Sequence, residues 1–531
     1  MKSDLVVTLW TYSREGEPGS LEGWGHHMRR ITAGLLALVL FLSLSPAAWA
    51  SYITDIGYDA LQAQLGASTP TGTGVRVAQV EAPINDVSGG AAPIFMPDPS
   101  LLDFLGKTIT PVGGNPSGQY SGHATGVGVL FYGTANSMAP GVTQIDSYEA
   151  NNWINSLYIQ TQGVNYGKAT TSPDRVANHS WVGGGNNSVS DGTILRLVDR
   201  QVTLNEFIQV VGLTNGAGTS PLLGGSAYNV IAVGVTDGVH QQGSVPVPGD
   251  SLYGAGRTVP TLVAPQGTTS GATPVVAAAA AVLVQTGHAG GLTLSDGSTT
   301  IAGVGTIYDA ERSETVKAAL MAGADRQTSN TSTSANITDY RSAGHQTANG
   351  LDDRFGAGQV NIDNSYHILA GGEQHSAQSG GHDISLFGFD YGGAFGGAGG
   401  SPRTASYFFN ANGDLTLTAS LVWNLSVSND ATLTTTLHHL NLSLFDVTRH
   451  TLVDTSASSL DNTQNLFLTL LLGDRYELRV TTDEAGNFSQ DYALAWRMNA
   501  TPSPVPIPPT AWLFATGMVS LLVLMRRRSR A

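Results

Sequence analysis

Thr268-Thr269-Ser270-Gly271-Ala272-Thr273-Pro274-Val275-Val276 leads directly into the alanine run from Ala277 to Ala281. Alanine is the strongest helix former and adds almost no bulk, so this run predicts a helix that can be packed closely on every side. Proline costs no hydrogen bond in the first turn of a helix, and Pro274 is therefore expected there. Ser270 would then lie at the amino end of a buried helix.

The amino end of such a helix suits acyl chemistry. Its unpaired amide groups and positive dipole end favour an anionic oxygen, which is the charge that develops when a hydroxyl attacks a carbonyl group. Ser270 is therefore a candidate nucleophile. The alternative is that Ser270 only caps the helix, because serine is a preferred N-cap residue. The rest of the chain has to decide between the two.

The stretch resembles the Gly-Thr-Ser-Met-Ala-Thr/Ser-Pro-His-Val block around the nucleophile of the subtilisin-like serine peptidases. Further blocks similar to those of that family occur in the family's order between Gly74 and Leu369. They are Gly74 to Glu81 (the first core strand), Gly122 to Gly128, Met138 to Gly141, Val176 to Trp181, Val210 to Gly216, Tyr228 to Gly234 and Val263 to Pro265. Several blocks in the right order favour the nucleophile over the simple cap.

The resemblance implies a triad of Glu81, His123 and Ser270. Serine is a poor nucleophile at its own pKa, so a base must take its proton during attack, and histidine titrates close enough to neutrality to do so. A carboxylate must hold the imidazole in one tautomer and stabilise its charged form. The chain order of acid, histidine and serine is that of the subtilisin arrangement.

The resemblance also implies an oxyanion site and a substrate groove. Asn215 would donate its side-chain amide to the oxyanion, with the backbone amide of Ser270 as a second donor. The segment Ser180, Trp181, Val182 and Gly183 would pair with an extended substrate, and Gly212 and Leu213 would line the pocket. Without the resemblance, Asn215-Gly216 is an ordinary turn signal and residues 180–183 are a strand followed by a loop.

One departure from the family concerns the acid. Glu81 stands where the family has aspartate. Because glutamate is longer by one methylene, its carboxylate must retract to reach the same imidazole nitrogen. A misplacement of ~1 Å can cost ~100-fold in rate. Asp86 is the alternative orienting acid if the intervening loop folds back. Four further positions outside the triad also depart from the family: Gly126, Thr268, Gly271 and Val275. The sedolisins use a glutamate, an aspartate and a serine, but the block around His123 argues against them.

Composition excludes several classes of function. The formal net charge of -15 argues against a nucleic-acid partner, because phosphate binding needs a basic surface. The absence of cysteine excludes disulfides and thiolate chemistry. No histidine or cysteine spacing indicates a metal site, and no cofactor is expected. Calcium is plausible by resemblance, but no ligand set can be named.

Periodicity predicts an α/β fold followed by a β-rich domain. Apolar strand segments alternate with helical patterns such as Ile194, Leu197 and Val198, which favours a three-layer, subtilisin-like domain with a mostly parallel sheet over residues 51–372. Residues 373–402 read as a glycine-rich linker. Strict alternation, as in Leu440, Leu442 and Leu444, predicts an antiparallel β-sandwich over residues 403–499, which would bind a polymer or stabilise the first domain.

Both ends of the chain resemble sorting signals. Residues 1–50 comprise an extension and a secretory signal, with Met28 as the expected true start and mature protein from Ser51. Residues 500–531 contain a proline-rich segment, an apolar run from Thr510 to Met525 and three arginines, which resembles a PEP-CTERM signal of the Val-Pro-x-Pro form processed by an exosortase. An ordinary membrane anchor is the alternative.

These observations predict an exported serine endopeptidase of a Gram-negative cell envelope, either periplasmic, on the outer surface or released. Its substrates would be proteins or peptides, cleaved through an acyl-enzyme. The main alternative is a catalytically impaired scaffold that acts as a structural or binding protein of the envelope or matrix. An esterase is a third possibility, although Ser270 is not part of a Gly-x-Ser-x-Gly motif.

Overall fold

A computed structural model of the chain describes residues 51–87, 89–114, 116–162, 166–168, 170–185, 187–219 and 223–500. The predicted export signal in residues 1–50 and the predicted tail from residue 501 onward lie outside the described residues. All structural statements below concern the described part.

The first part of the chain forms a seven-stranded parallel sheet with the strand order β2-β3-β1-β4-β5-β6-β7. This confirms the predicted α/β class. The strands are β1 Arg76–Glu81, β2 Thr108–Pro111, β3 Gln144–Glu149, β4 Val176–His179, β5 Ile208–Gly212, β6 Ile231–Val235 and β7 Leu262–Ala264.

Helices cover both faces of this sheet. They are α1 Tyr52–Asp55, α2 Tyr58–Leu65, α3 Gly122–Tyr132, α4 Ala150–Asn152, α5 Ser188–Asn205, α6 Thr269–Gly290, α7 Ser313–Gly323 and α8 Ile362–Ala370. One apolar core holds α3 and α6 against the sheet, and a second core on the opposite face holds α5. Because side chains alternate along a strand, Val77 joins the first core and Ala78 and Val80 join the second.

Helix α6 differs in two details from the expectation. Thr268, not Ser270, is the N-cap, and its side-chain oxygen accepts a hydrogen bond from the amide of Gly271 at 3.2 Å. Pro274 lies inside the helix rather than in its first turn. Pro274 has no N–H to give to the carbonyl of Ser270 four residues earlier, so that carbonyl has to be satisfied from outside the helix.

Helix α6 is also the one described helix that is long and apolar enough to cross a membrane by length and composition. Its alanines from Ala277 to Ala281 are fully buried between the sheet and the neighbouring helices. The sequence predicts burial of this helix on all sides, and such burial explains why the helix is apolar along its whole length. Helix α6 is therefore a core helix of the α/β domain.

The remaining strands form a small hairpin and the antiparallel region. The hairpin consists of β8 Ser298–Ile301 and β9 Gly305–Tyr308. The later strands are β10 Phe387–Phe395, β11 Thr404–Asn410, β12 Leu415–Val422, β13 Ser426–Val427, β14 Thr435–Thr436, β15 Asn441–Asp446, β16 Thr451–Ser456, β17 Thr463–Thr469, β18 Arg475–Thr481 and β19 Gln490–Ala500.

Eight of these strands form two four-stranded sheets, β10-β19-β12-β17 and β11-β18-β15-β16, around one apolar core. The structure differs from the expectation at residues 373–402, which were predicted as a linker. They contain β10, which pairs with β19 from Phe387 to Phe395. Glycine-rich sequence hid a strand here, since Gly392 and Gly393 lie within it and glycine is depleted in strands.

Helix α7 joins the two parts of the fold. All of its residues are buried, and it packs against β12 and β19 of the sandwich. Arg497 on β19 donates to the carbonyl groups of Ala322 and Ala324, at 3.0 Å each, at the carboxyl end of α7. These bonds satisfy carbonyls that a helix end leaves unpaired. The sandwich therefore stabilises the α/β part through α7.

Two carboxyl groups near this junction have pKa values raised above their usual range. Burial raises the pKa of Glu373 to about 8, and the nearby charges of Asp309 and Asp390 act in the same direction. Burial likewise raises the pKa of Asp390 to about 6, although the hydroxyl of Tyr407 donates to it at 2.6 Å. Both groups hold a proton in the folded chain at a pH where the unfolded chain has lost it.

This difference predicts that the two groups stabilise the fold more at mildly acidic than at alkaline pH. A group whose folded pKa is raised contributes stability that is fully present below its unfolded pKa and is lost as the pH rises through the folded value. We expect the contribution of Glu373 to lower the melting temperature between pH 5 and pH 8.5, as measured by calorimetry on the natural chain and on the Glu373→Gln variant. Glu373→Gln should flatten this slope, whereas Asp430→Asn, at a fully exposed carboxylate, should not. An equal pH dependence of the melting temperature in the natural chain and in Glu373→Gln would contradict the assignment.

Candidate functional site

The candidate site lies where three neighbouring strands of the parallel sheet end. Strand β1 ends at Glu81, β4 at His179 and β5 at Gly212, and the three are adjacent in the order β1-β4-β5. In open α/β sheets, ligands bind outside the carboxyl ends of the strands. A cavity of about 360 Å³ opens at this edge.

The cavity brings together most residues that the sequence predicted for catalysis and substrate binding. It is lined by Glu81, Ala82, Pro83, Ile84, His123, Ser180, Trp181, Val182, Gly212, Leu213, Asn215, Thr269 and Ser270. Gly183 follows Val182 but does not line the cavity. Asp86, the alternative acid, is exposed and does not line it either.

A hydrogen bond joins the predicted acid to the predicted base. His123 Nδ1 and Glu81 Oε2 are 2.9 Å apart. The Glu81 side chain is 1% exposed, whereas that of His123 is 43% exposed. The imidazole therefore has one edge fixed by a buried carboxylate and the other open towards solvent. This is the arrangement that leaves Nε2 available to take a proton.

Two buried side chains that sequence reasoning missed hold Glu81 in place. Gln79 Nε2 donates to Glu81 Oε1 at 2.9 Å and to the carbonyl of Ala124 at 2.8 Å. The hydroxyl of Tyr132 donates to Gln79 Oε1, which fixes the orientation of the Gln79 amide. Gln79 lies two residues before Glu81 on β1, and this spacing of two, which puts both on one face of the strand, is the signal that could have identified it.

The pair holds its proton more strongly than a free imidazole does. Burial raises the pKa of Glu81 above its usual range, although the hydrogen bonds from His123 and Gln79 act in the opposite direction. The hydrogen bond with Glu81 raises the pKa of His123 above 6.5, and partial burial opposes this rise. A base that must be deprotonated to act would therefore become active at a higher pH than a free histidine does.

Both His123 and Ser270 are the second residue of a helix. Helix α3 begins after the cap Ser121, whose hydroxyl accepts from the amide of Ala124 at 3.1 Å. Helix α6 begins after Thr268. Caps of this kind fix the first turn of each helix, and the two helices pack against each other. The imidazole and the hydroxyl are thus placed at the same edge of the sheet by two rigid elements.

The carbonyl group of Ser270, which Pro274 leaves unpaired within the helix, is bound by Ser180. Ser180 Oγ donates to Ser270 O at 3.0 Å, and Asn178 Nδ2 donates to Ser180 Oγ at 3.0 Å. Ser180 thus holds Ser270 as well as lining the cavity. Asn178 lies in the block from Val176 to Trp181, and the sequence did not predict that it supports Ser180.

The predicted oxyanion residue is fixed to the start of α6. Asn215 Oδ1 accepts from the amide of Thr269 at 2.9 Å, and the Thr269 hydroxyl donates to the carbonyl of Leu213 at 2.6 Å. With its oxygen held by Thr269, the Asn215 amide presents Nδ2 as the donor end. Gly212 allows the close approach, since a Cβ there would lie 2.8 Å from Thr273 Oγ1.

The Ser270 hydroxyl donates to the carbonyl of Ser180 at 3.4 Å and is not bonded to His123. Both side chains line the same cavity. Proton transfer from Ser270 to His123 would require the hydroxyl to turn from the Ser180 carbonyl towards the imidazole. Such bonds are often formed only when substrate is bound.

Comparison with known proteins finds distant similarity to solved structures. No family model and no curated protein matches the chain. Among solved structures it is similar to the prenylagaramide maturation protease PagA, with a TM-score of 0.33 and 15% identity over 58% of this chain and 98% of that one.

Two other proteases are similar over comparable parts of the chain. The serine protease MycP1, an essential component of the type VII (ESX-1) secretion system, has a TM-score of 0.28 and 14% identity over 61% of this chain and 90% of that one. Tripeptidyl peptidase 2 has a TM-score of 0.25 and 10% identity over 73% of this chain and 41% of that one. These similarities are distant, and only the chain's own geometry bears on its chemistry.

One group of side chains outside the site has the composition of a metal centre. His345, Asp352 and Asp353 bring their ligand atoms within 4.8 Å of one another. However, the Asp352 carboxylate already accepts from the amide of Arg341 at 2.7 Å and from the guanidinium of Arg354 at 3.0 Å. The neighbouring guanidinium would also repel a cation. These residues therefore stabilise a loop.

The electrostatic coupling of His123 to Glu81 can be tested without an activity assay. We expect NMR titration of the labelled histidine rings to give a His123 pKa above 6.5, and Glu81→Gln to lower it, because burial would then act without the compensating charge. Glu484→Gln removes a carboxylate that binds His438 and should leave the His123 titration unchanged. If Glu81→Gln did not move the His123 pKa, the pairing would be wrong.

Proposed function

We propose that this protein is a serine endopeptidase that hydrolyses peptide bonds through an acyl-enzyme intermediate. The observation that carries the proposal is the buried Glu81 carboxylate bonded to His123 at 2.9 Å in a cavity that Ser270 and Asn215 also line. Each group required for acyl transfer is then present in one place: a nucleophile, a base, an orienting acid and an oxyanion donor.

The geometry suggests the following sequence of steps. Ser270 Oγ attacks the carbonyl carbon of the substrate while His123 Nε2 takes the hydroxyl proton, and Glu81 holds the imidazole through Nδ1. Asn215 Nδ2 and the amide of Ser270 stabilise the oxyanion. His123 then gives its proton to the leaving amine. A water molecule, deprotonated by the same imidazole, releases the acyl group from Ser270.

The substrate would be an extended peptide. The segment from Ser180 to Val182 continues from the end of β4 along the cavity, which favours a substrate backbone bound as an added strand. The walls contributed by Ile84, Val182 and Leu213 are apolar, and Ile84 and Val182 are exposed. We therefore infer that apolar side chains are preferred beside the scissile bond.

The sequence motifs at the two ends support export and attachment to the cell envelope. The predicted signal before Ser51 would carry the catalytic part out of the cytoplasm. The apolar run from Thr510 to Met525 with its three arginines would act as an anchor or as a substrate for exosortase-like machinery. The protein would then act in the periplasm or at the outer surface, or after release.

A second candidate is a binding or structural protein built on an inactive peptidase scaffold. The bond of the Ser270 hydroxyl to Ser180, rather than to His123, favours it. The glutamate in place of the family's aspartate favours it as well. The two candidates differ in whether Ser270 reacts.

Reactivity of Ser270 is the first test. We expect a fluorophosphonate probe to label the purified protein and Ser270→Ala to abolish the labelling. Ser156→Ala, at an exposed serine outside the cavity, should label normally. Casein digestion that is likewise lost in Ser270→Ala would separate the peptidase from an esterase. No labelling at any pH from 6 to 10 would favour the inactive scaffold.

The second test changes the length of the acidic side chain at position 81. Glu81→Asp withdraws the carboxylate by one methylene from both His123 and Gln79, so we expect kcat to fall by ~100-fold, the cost of a misplacement of ~1 Å. Glu81→Gln should cost more, on the order of 10,000-fold, because the imidazole loses its charge partner. Asp86→Asn should change kcat less than twofold. Equal activity of Glu81→Asp, or a large loss in Asp86→Asn, would contradict the assignment of Glu81 as the orienting acid.

A further inference from the structure

The described chain ends at one end of the β-sandwich. Strand β19 finishes at Ala500, which is paired with Leu415 at the start of β12. The amide of Leu470 donates to the carbonyl of Leu415 at 2.8 Å. The turn that follows β17, residues 471–474, therefore lies beside the point where the chain leaves the sandwich. We call this end of the sandwich the exit end.

The exit end carries three exposed leucines. Leu471 is 56% exposed, Leu472 is 62% exposed and Leu386 is 48% exposed. Leu386 belongs to the same end because its carbonyl accepts from the amide of Met498 at 2.8 Å, two residues before Ala500. Turns between strands usually carry polar residues or glycine. Three large apolar side chains gathered at one end call for a partner that removes them from water.

The sequence beyond the exit end indicates what that partner is. Residues 501–509 are proline-rich, and the apolar run from Thr510 to Met525 follows them. A linker of this length spans at most about 30 Å when fully extended. If the apolar run enters a bilayer, as the proposed envelope attachment requires, the exit end is held within that distance of the bilayer surface. The exposed leucines then lie at the end of the sandwich that is tethered to the lipid.

The charges at the exit end indicate that this end contacts lipid through its apolar side chains rather than through electrostatic attraction. Arg475 is bonded to Asp383, and Arg449 forms an ion pair with Asp446 at 3.1 Å. Arg449 is also paired with Asp474. Because carboxylates pair both guanidinium groups, this end offers no strongly basic patch for anionic lipid. Insertion of the leucines should therefore depend little on the charge of the lipid.

We propose that the exit end, through Leu386, Leu471 and Leu472, inserts into the boundary between the headgroups and acyl chains of the bilayer that holds the C-terminal apolar run. This inference rests on the proposed membrane attachment and is independent of the proposed peptidase chemistry. The sandwich would then fix the orientation of the catalytic cavity relative to the membrane, in addition to stabilising the α/β domain.

The absence of cysteine in the natural chain makes a direct test simple. The full chain with Leu472→Cys, labelled with an environment-sensitive fluorophore, is reconstituted into phosphatidylcholine vesicles that contain spin-labelled lipid. We expect a blue shift and at least a threefold quenching of the label. The matched control is Leu102→Cys, at a leucine that is 84% exposed in the α/β part, and its label should remain unquenched. Adding phosphatidylglycerol should change neither result.

A second variant separates insertion from mere proximity. With the label at Leu386→Cys, the double change Leu471→Asn and Leu472→Asn should reduce quenching severalfold, whereas the double change Leu101→Asn and Leu102→Asn should not. If the chain floats with the vesicles but the label at 472 behaves like the label at 102, insertion is overturned and the anchor stands. If the chain does not float with vesicles, both are overturned. A blue shift at 472 that rises with protein concentration without lipid would indicate contact between two copies and would also overturn insertion.

Discussion

The site depends on one buried interaction, the hydrogen bond between Glu81 and His123. A carboxylate that is nearly inaccessible to water is costly to ionise unless hydrogen bonds and an opposite charge compensate for the burial. Here the compensation comes from His123 on one oxygen and from Gln79 on the other. The Tyr132 hydroxyl orients the Gln79 amide. Both carboxylate oxygens of Glu81 are therefore held, which fixes the glutamate side chain in one position.

The rest of the fold serves to bring this pair close to Ser270. Parallel strands β1, β4 and β5 end at the same edge, and helices α3 and α6 present His123 and Ser270 at that edge from capped first turns. Pro274 frees the carbonyl of Ser270, and Ser180 binds it, so the position of the nucleophile depends on β4 as well as on α6. The sandwich contributes from a distance, because Arg497 binds the end of α7. The raised pKa values of Glu373 and Asp390 make the stability of that junction depend on pH.

Much of this arrangement could be predicted from the sequence, because it depends on short-range patterns. The period of two along β12 and β15 predicted antiparallel strands, and the motifs around Glu81, His123 and Ser270 predicted which side chains share the cavity. Contacts between distant parts of the chain could not be predicted. Nothing local to Tyr132 shows that its hydroxyl meets Gln79, and nothing in the alanine run shows that Pro274 lies one turn deeper than expected. The sequence predicts a linker where β10 lies, because glycines mask the alternation of this segment, and only the pairing with β19 shows it to be a strand.

The most direct test of the account is a crystal structure of the protein with a peptide boronic acid. The account predicts a covalent bond from boron to Ser270 Oγ, with one boronate oxygen within hydrogen-bonding distance of Asn215 Nδ2 and of the Ser270 amide. His123 Nε2 should lie within about 3 Å of the other oxygen while Nδ1 keeps its bond to Glu81. A boronate attached to a different residue, or an imidazole turned away from Ser270 with Glu81 unpaired, would contradict it.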